Sequence, residues 1–266
     1  MTILDRIIEH KRGEVAERKR RAPLSALIDV ERYRRATVSF RDALARDDRF
    51  HFICEIKKAS PSKGIIRHDF DPVRQARSYH DGGASAISVL TDEKFFMGSL
   101  DHLSAVRETV RLPILRKDFI IDPYQIHEAR TAGADMILLI ARVLTSSQID
   151  EYAALARGLG MDVLLELADE SDIDKLPSCD TIIVGINNRD LATFAVDINR
   201  SVSLRRLLPA DALVIGESGI TGSDDCRLLK ANGIRGALVG KTFMRSSDPA
   251  ALLRRIIDEV NDEDAS

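Results

Sequence analysis

From residue 50 onward, short apolar runs alternate with longer amphipathic stretches. Short runs rich in β-branched residues predict strands, whereas apolar residues that recur every three or four positions predict helices. The predicted strands cover 52–56, 86–90, 113–115, 136–140, 163–167, 181–186, 212–215 and 237–239. The predicted helices cover 72–81, 100–109, 124–131, 146–159, 201–208, 223–231 and 249–260, with a shorter helical pattern at 170–176.

Eight strands, each followed by a helical segment, predict an α/β protein with a parallel sheet. Eight is the number of strands that closes a (β/α)₈ TIM barrel, and the length of each repeat fits that fold. An open, doubly wound sheet is the alternative, but no G-x-G-x-x-G motif follows the first strand. We therefore expect a barrel domain over residues 51–266.

Residues 1–50 precede the first strand and are expected to form an N-terminal helical extension. Ile3, Ile7, Ile8 and Val15 recur at helical spacing. Ser39 is a good N-cap for a second, short helix. Such an extension would either cover one mouth of the barrel or serve as a dimerisation element, and the sequence leaves both open.

Composition and charge narrow the function classes. The chain has 266 residues, of which 44% are hydrophobic and 30% charged, and its net charge is −3. No overall basic field points to nucleic acid or to an acidic membrane. The basic residues of 11–21 alternate with glutamates, which predicts a solvent-exposed helix face. No apolar run is long enough to span a membrane, and the N-terminus does not resemble a signal peptide.

The three cysteines, Cys54, Cys179 and Cys226, lack the spacing of metal ligands. Their odd number and scattered positions predict a reducing compartment, which means the cytoplasm.

Polar residues follow the apolar runs at the ends where barrel enzymes carry their active sites. Random surface charges would be scattered over both ends of the strands. Glu55 and Lys57 occupy alternate positions and therefore share one face of the first strand. The other charged or polar groups of this set are Lys117, Glu166, Asn187, Arg189 and Glu217.

These residue types suit acid–base chemistry. Lys57 and Lys117 are candidate acids and Glu166 is a candidate base. Burial would lower a lysine pKa and raise a glutamate pKa, both toward neutrality, unless a facing opposite charge resists the shift. A Schiff-base lysine is a competing role. A buried salt bridge is the structural alternative for Glu166.

Two glycine-containing segments are candidate phosphate sites. Residues 218–221 follow the seventh strand and 238–241 close the eighth, where barrel loops commonly bind phosphate through backbone N–H groups. The short pairs Ser218–Gly219 and Gly240–Lys241 are the candidate contacts.

Several motifs together resemble the indole-3-glycerol phosphate synthase family. Two long motifs are E-I-K-K-A-S-P-S-K-G at 55–64 and P-I-L-R-K-D-F-I-I-D-P-Y-Q-I at 113–126. Others are S-V-L-T-D-E-K-F-F-M-G-S at 88–99, L-L-E-L at 164–167, I-N-N-R-D-L at 186–191 and G-E-S-G-I at 216–220. The resemblance covers essentially the whole chain and implies a monofunctional enzyme.

The resemblance implies a reaction in tryptophan biosynthesis. Such an enzyme converts 1-(2-carboxyphenylamino)-1-deoxyribulose 5-phosphate into indole-3-glycerol phosphate, CO₂ and water, with no metal or organic cofactor. Lys117 would be the general acid and Glu166 the base. Lys57 would hold the substrate carboxylate and assist loss of the hydroxyl. Which lysine serves which step stays open.

The resemblance also implies substrate contacts. Glu55, Asn187 and Arg189 would orient the anthranilate ring, and Glu217 would anchor the ribulose hydroxyls. The phosphate would be held by Ser60, Ser218, Gly219, Gly240 and Lys241. The apolar wall would be formed by Phe96, Phe119 and Leu138. Lys241 departs from the family pattern, which has Glu, Ser or Ala there.

Two other functions compete with this one. Phosphoribosylanthranilate isomerase is also a phosphate-binding barrel, but that family is shorter and lacks the E-x-K-x-x-S-P-S run. A barrel that has decayed into a scaffold would have lost Lys117 or Glu166, and both are present. The expected partner is a small phosphorylated substrate, with other enzymes of tryptophan biosynthesis as candidates.

Overall fold

Eight parallel strands close into a barrel, which confirms the predicted (β/α)₈ fold. The structure, a computed structural model, describes residues 2–177, 181–190 and 193–261. Each strand pairs with its neighbours in sequence, and the eighth pairs back onto the first. The strands are β1 (His51–Ile56), β2 (Ala86–Leu90), β3 (Ile114–Lys117), β4 (Met136–Ile140), β5 (Asp162–Leu167), β6 (Ile182–Asn187), β7 (Val214–Glu217) and β8 (Gly236–Val239).

The first three helices precede β1, and the others follow the strands of the barrel. The helices are α1 (Ile3–Arg21), α2 (Leu24–Ile28), α3 (Phe40–Arg46), α4 (Pro72–Asp81), α5 (Glu93–Phe96), α6 (Leu100–Thr109), α7 (Pro123–Ala132), α8 (Ser146–Gly158), α9 (Asn199–Arg205), α10 (Ser223–Ala231), α11 (Lys241–Met244) and α12 (Pro249–Asn261). The helical pattern at 170–176 forms a 3₁₀ helix, Glu170–Lys175.

The sequence missed five short elements and the ends of three strands. The missed elements are α2, α5, α11, the 3₁₀ helix Glu31–Arg34 and a hairpin between Ala59–Ser60 and Gly64–Ile65. The strands β3, β6 and β7 run two, one and two residues further than predicted. Lys117, Asn187 and Glu217 therefore sit on the last residues of strands, where the barrel fixes their direction.

The barrel interior is a packed core to which every strand contributes. The alternation of side chains along each strand turns one set inward, including Ile53, Leu115, Leu164 and Ile215. The other set packs against the surrounding helices in a larger outer core.

The N-terminal extension contacts both ends of the barrel. At the end opposite the candidate site, Phe40 and Leu44 of α3 are fully buried in the interior core. Ser39 caps α3 as predicted, accepting a hydrogen bond from the Asp42 N–H. The Asp162 carboxylate at the start of β5 accepts from the backbone N–H groups of Phe40 and Arg41, at 2.8 and 3.0 Å. The extension therefore plugs this end.

At the other end, α1 lies over the mouth of the barrel, and a buried charge network holds it there. The Lys11 ammonium, 1% exposed, lies 2.9 Å from both the Asp92 and the Asp118 carboxylates and 3.1 Å from Glu14. Arg116 pairs with the second Asp118 oxygen at 3.0 Å. The prediction of a solvent-exposed face was wrong for Lys11, because charge pattern alone does not reveal that carboxylates of distant loops face the helix.

Other sequence-based expectations concern cysteines, metals and membranes. Cys54 and Cys226 are buried free thiols, while Cys179, Leu191 and residues 262–266 lie outside the described residues. Within the described ranges, no group of three His, Cys, Asp or Glu side chains is arranged to hold a metal ion. No helix in the same ranges has the length and apolar content needed to cross a membrane.

Candidate active site

One cavity of about 540 Å³ opens at the carboxyl ends of the strands. All fifteen residues singled out from the sequence line it: Glu55, Lys57, Ser60, Phe96, Lys117, Phe119, Leu138, Glu166, Asn187, Arg189, Glu217, Ser218, Gly219, Gly240 and Lys241. Each of the eight strands, or the loop that follows it, contributes at least one of them. The barrel closure brings them together because the carboxyl ends of all eight strands meet at the same rim.

Lys117 lies between two glutamates at the base of this cavity. Its ammonium donates to Glu166 Oε2 at 3.2 Å and to Glu217 Oε2 at 3.0 Å. Burial alone would lower the pKa of Lys117, but the charges of Glu217, Glu166 and Glu55 outweigh it and raise the pKa. The lowering expected from burial does not occur at Lys117, because three carboxylates face it, which is the condition under which the shift was expected to be resisted.

Glu217 shows the opposite balance. Burial, together with the nearby charges of Glu166 and Glu55, raises its pKa to about 7 against the pull of Lys117. Its Oε1 atom is buried and finds no hydrogen-bond partner among the residues described. This carboxyl group can thus gain or lose a proton near neutral pH and has one oxygen available.

A second acid–lysine pair lies at the end of β1. Lys57 Nζ donates to Glu55 Oε1 across the shared strand face, as the alternate spacing predicted. Burial would raise the pKa of Glu55, but the positive charges of Lys57 and Lys117 outweigh it and lower the pKa. Asn187 donates to Glu166 Oε1 at 3.1 Å, which orients that carboxylate. Glu55 and Glu166 each have a partner, unlike Glu217 Oε1.

The two candidate phosphate segments lie side by side, at the ends of the adjacent strands β7 and β8. Ser218 and Gly219 both adopt left-handed backbone conformations, with φ of 64° and 82°. The Thr242 hydroxyl donates to the Ile220 carbonyl at 2.9 Å and ties the two segments together. Ser60 approaches from the hairpin that follows β1. A turn of this kind at the rim is suited to binding an anion through backbone N–H groups.

An apolar wall covers the other side of the cavity. The rings of Phe96 and Phe119 lie 6.0 Å apart, and Leu138 of β4 also lines the cavity. Asp92 caps the helix that carries Phe96, and Asp118 accepts from the Phe119 N–H at 2.8 Å. The two acids that pair with Lys11 therefore also hold the segments carrying both rings.

Sequence reasoning missed several lining residues, among them Ile3, Leu4, Ile7, Lys63, Phe194 and Arg245. The sequence left open whether the N-terminal extension covers a mouth of the barrel or mediates dimerisation. The structure places α1 over the mouth. Phe194 lies in the loop after β6 and takes a left-handed φ of 61°, which no sequence pattern signals for a phenylalanine.

Arg116 is a charged residue of β3 that does not enter the cavity. It is fully buried on the outer side of the strand, where it donates to the Gln125 carbonyl at 2.6 Å and pairs with Glu128 at 3.3 Å. A position at the end of a strand is therefore not enough to place a residue in the site. The side chain must also point to the inner side of the strand.

Known proteins of one family match this chain along nearly its full length. The family model for indole-3-glycerol phosphate synthase matches residues 4–256. An indole-3-glycerol phosphate synthase of Rhodopirellula baltica is 48% identical over 248 residues, covering 93% of this chain and 96% of the relative. One of Variovorax paradoxus is 44% identical over 258 residues, covering 94% and 97%.

Solved structures show the same fold at low identity. The 3-hexulose-6-phosphate synthase of Salmonella typhimurium superposes with a TM-score of 0.64 at 15% identity, covering 79% of this chain and 98% of that one. The tryptophan synthase alpha subunit of Legionella pneumophila gives 0.60 at 13% identity, covering 83% and 96%. These likenesses concern the barrel alone.

Proposed function

This chain belongs to the indole-3-glycerol phosphate synthase family, and from that premise we propose how its cavity carries out the reaction. The activity is that of a carboxy-lyase of tryptophan biosynthesis. Its substrate is 1-(2-carboxyphenylamino)-1-deoxyribulose 5-phosphate, and its products are indole-3-glycerol phosphate, CO₂ and water. The observation that carries the proposal is the Lys117 ammonium between Glu166 and Glu217 inside a cavity with one apolar wall.

The cavity provides a separate region for each part of the substrate. We propose that the phosphate binds at Ser60, Ser218, Gly219, Gly240 and Lys241. The aromatic ring packs on Phe96, Phe119 and Leu138, and Glu55, Asn187 and Arg189 orient it. Lys57 binds the ring carboxylate, and Glu217 binds the ribulose hydroxyls. This orientation brings the substrate carbonyl toward Lys117.

The charged residues at the base of the cavity then catalyse ring closure. The ring carbon that bears the carboxylate attacks the carbonyl carbon, and Lys117 donates a proton to the carbonyl oxygen. The raised pKa keeps Lys117 in its protonated, positively charged form at neutral pH. Loss of CO₂ returns its electron pair to the ring system. The new hydroxyl leaves as water with a proton from Lys57, while Glu166 accepts the ring proton.

The remaining parts of the proposal concern the setting of the enzyme. We propose that residues 1–50 act as an extension to a catalytic barrel of residues 51–266. The buried thiols of Cys54 and Cys226 are compatible with a reducing cytoplasm. Other enzymes of tryptophan biosynthesis are the proposed partners, and a small phosphorylated molecule is the ligand.

The activity is tested by mixing the protein with the substrate and following indole fluorescence. We expect Lys117→Ala to lower kcat by about 10²-fold or more, with substrate affinity changed by less than about tenfold, because Lys117 acts mainly in the transition state. Lys94→Ala, at an exposed lysine near His10, is the matched control and should behave as the wild type.

Two results would argue against the proposal. Absence of product with the wild-type protein would favour the scaffold alternative. A normal kcat in the Lys117→Ala variant would remove Lys117 from the mechanism while leaving the activity itself in place.

A further inference from the structure

Gly185 occupies an inward-facing position in the middle of β6, where a side chain is expected. Ile183 and Asn187, two residues before and after it, point into the interior core and into the cavity. Because side chains alternate along a strand, position 185 faces the same way. Glycine weakens a strand interior and often marks a place that another group approaches closely. The role of Gly185 therefore follows from the group that approaches it.

A Cβ atom built on Gly185 would overlap Glu217 Oε1. This is the buried oxygen without a hydrogen-bond partner, and the other oxygen of the same carboxyl group accepts from Lys117 at 3.0 Å. Glu217 lies on the adjacent strand, opposite Asn187 in the register of β6 and β7. The missing side chain at 185 thus leaves the space that the carboxyl group of Glu217 fills.

A second glycine, between β8 and β1, lies equally close to a glutamate. A Cβ atom on Gly240, just after β8, would overlap Glu55 Oε1. Both glutamates carry a carboxylate oxygen that pairs with a lysine, Lys117 or Lys57. Two acid–lysine pairs thus each have a glycine where a side chain would overlap the glutamate.

We propose that Gly185 is a positioning residue that sets the Glu217 carboxyl group against Lys117. A larger side chain at 185 would push the carboxyl group toward the cavity and break its contact with the ammonium. The far end of a glutamate side chain moves easily, so the substitution should alter the active site more than the fold. The role in turnover rests on the proposed function, whereas the contact itself does not.

Gly185→Ala tests the proposal, with Gly216→Ala as the matched control. Position 216 also lies in a barrel strand, but its Cβ atom would face outward, 2.9 Å from Leu229 Cδ1. The control should lower stability without changing the kinetics. We expect Gly185→Ala to lower kcat by about tenfold or more, because small misplacements of catalytic groups are costly. The titration of the Glu217 carboxyl group, followed by ¹³C NMR, should move away from its wild-type midpoint near pH 7.

A double-mutant cycle with Glu217→Ala separates positioning from a general packing effect. If the Glu217 carboxyl group carries the effect, Gly185→Ala costs nothing further once that group is removed. Should Gly185→Ala fail to fold, recovery of folding in the Gly185→Ala, Glu217→Ala double variant would support the proposal equally well.

Three outcomes would overturn the inference: a wild-type kcat together with an unchanged Glu217 titration, an equal loss of kcat in both backgrounds, or failure to fold in both. An inactive wild-type protein would instead reject the proposed function. In that case the NMR titration and the stability cycle still decide the role of Gly185.

Discussion

The charge on Lys117 depends on three carboxylates carried by three other strands. Glu55, Glu166 and Glu217 lie on β1, β5 and β7, and together they outweigh the cost of burying the ammonium. In one of the three, Glu217, burial and then the nearby charges of Glu166 and Glu55 raise the pKa to about 7. The site therefore combines a lysine that stays protonated with a carboxyl group that titrates near neutrality. Such a separation of pKa values is typical of acid–base sites.

The raised pKa of Glu217 predicts how stability changes with pH. Between the ordinary value of 4.5 and about 7, the folded protein holds a proton that the unfolded chain has released. Stability from this group is thus complete below pH 4.5 and is lost as the pH rises through 7. We expect Glu217→Gln to flatten the dependence of the free energy of unfolding on pH in this window, measured by urea denaturation. Glu170→Gln, at an exposed position, should keep the wild-type slope; an unchanged slope in Glu217→Gln would contradict the assignment.

How far the sequence predicts this site differs from residue to residue. Glu55 and Lys57 were predicted to share a face because strand periodicity is local, and all fifteen candidate residues do line one cavity. The direction of the Lys117 pKa shift was not predictable in this way. It depends on distances to carboxylates 49 and 100 positions away along the chain. Local pattern gives the direction of a side chain but not the charge that faces it.

At the scale of elements, α1 is the helix whose role the sequence left most open. Lys11 joins it to the loops after β2 and β3 through Asp92 and Asp118, which hold the segments of Phe96 and Phe119. The nearby charges of Asp118 and Asp92 outweigh burial and raise the pKa of Lys11. The apolar face of α1, with Ile3 and Ile7, lines the cavity. One helix thus contributes both to the surface of the site and to the support of its aromatic wall.

Replacement of Lys11 tests this link. Lys11→Met leaves Asp92 and Asp118 without the buried ammonium, and removal of one member of a buried ion pair costs about 3–5 kcal/mol. We expect a loss of that order in the free energy of unfolding and a rise in the KM for substrate, because α1 covers the cavity. Arg12→Met is the neighbouring control. Its side chain is 68% exposed and its pair with Glu9 should contribute less than about 1 kcal/mol. Equal losses in the two variants would refute a special role for Lys11.

At the scale of the whole molecule, the two ends of the barrel have separate tasks. The cavity occupies the carboxyl ends of the strands, whereas Phe40 and Leu44 fill the opposite end. Arg35 reinforces that plug by pairing with the buried Asp135 at 2.6 Å. In barrels of this kind, chemistry belongs to the first end and stability to the second. The periodicity of residues 1–50 revealed helices but not that they reach both ends, since their contacts lie more than 80 positions away.

Substitution of Asp162 tests this division. Asp162→Asn should weaken the hydrogen bonds to the N–H groups of Phe40 and Arg41 and lower the free energy of unfolding by about 1–3 kcal/mol. The kcat should stay at the wild-type value, because the cavity lies at the other end. Asp42→Asn, on the exposed side of the same helix, should leave both quantities unchanged. A marked fall in kcat for Asp162→Asn would show that the two ends are coupled.

The pairing of β8 with β1 has a consequence for synthesis on the ribosome. His51 and Phe52 lie opposite Gly236 and Ala237, so β1 keeps one unpaired edge until nearly the entire chain has emerged. The Phe50 N–H, just before β1, donates to Asn261 Oδ1 at 2.7 Å, and this partner is synthesised later still. An open strand edge invites pairing with other chains. Nascent chains stalled before residue 236 should therefore be prone to aggregation and depend on chaperones, whereas release of the finished chain removes that hazard.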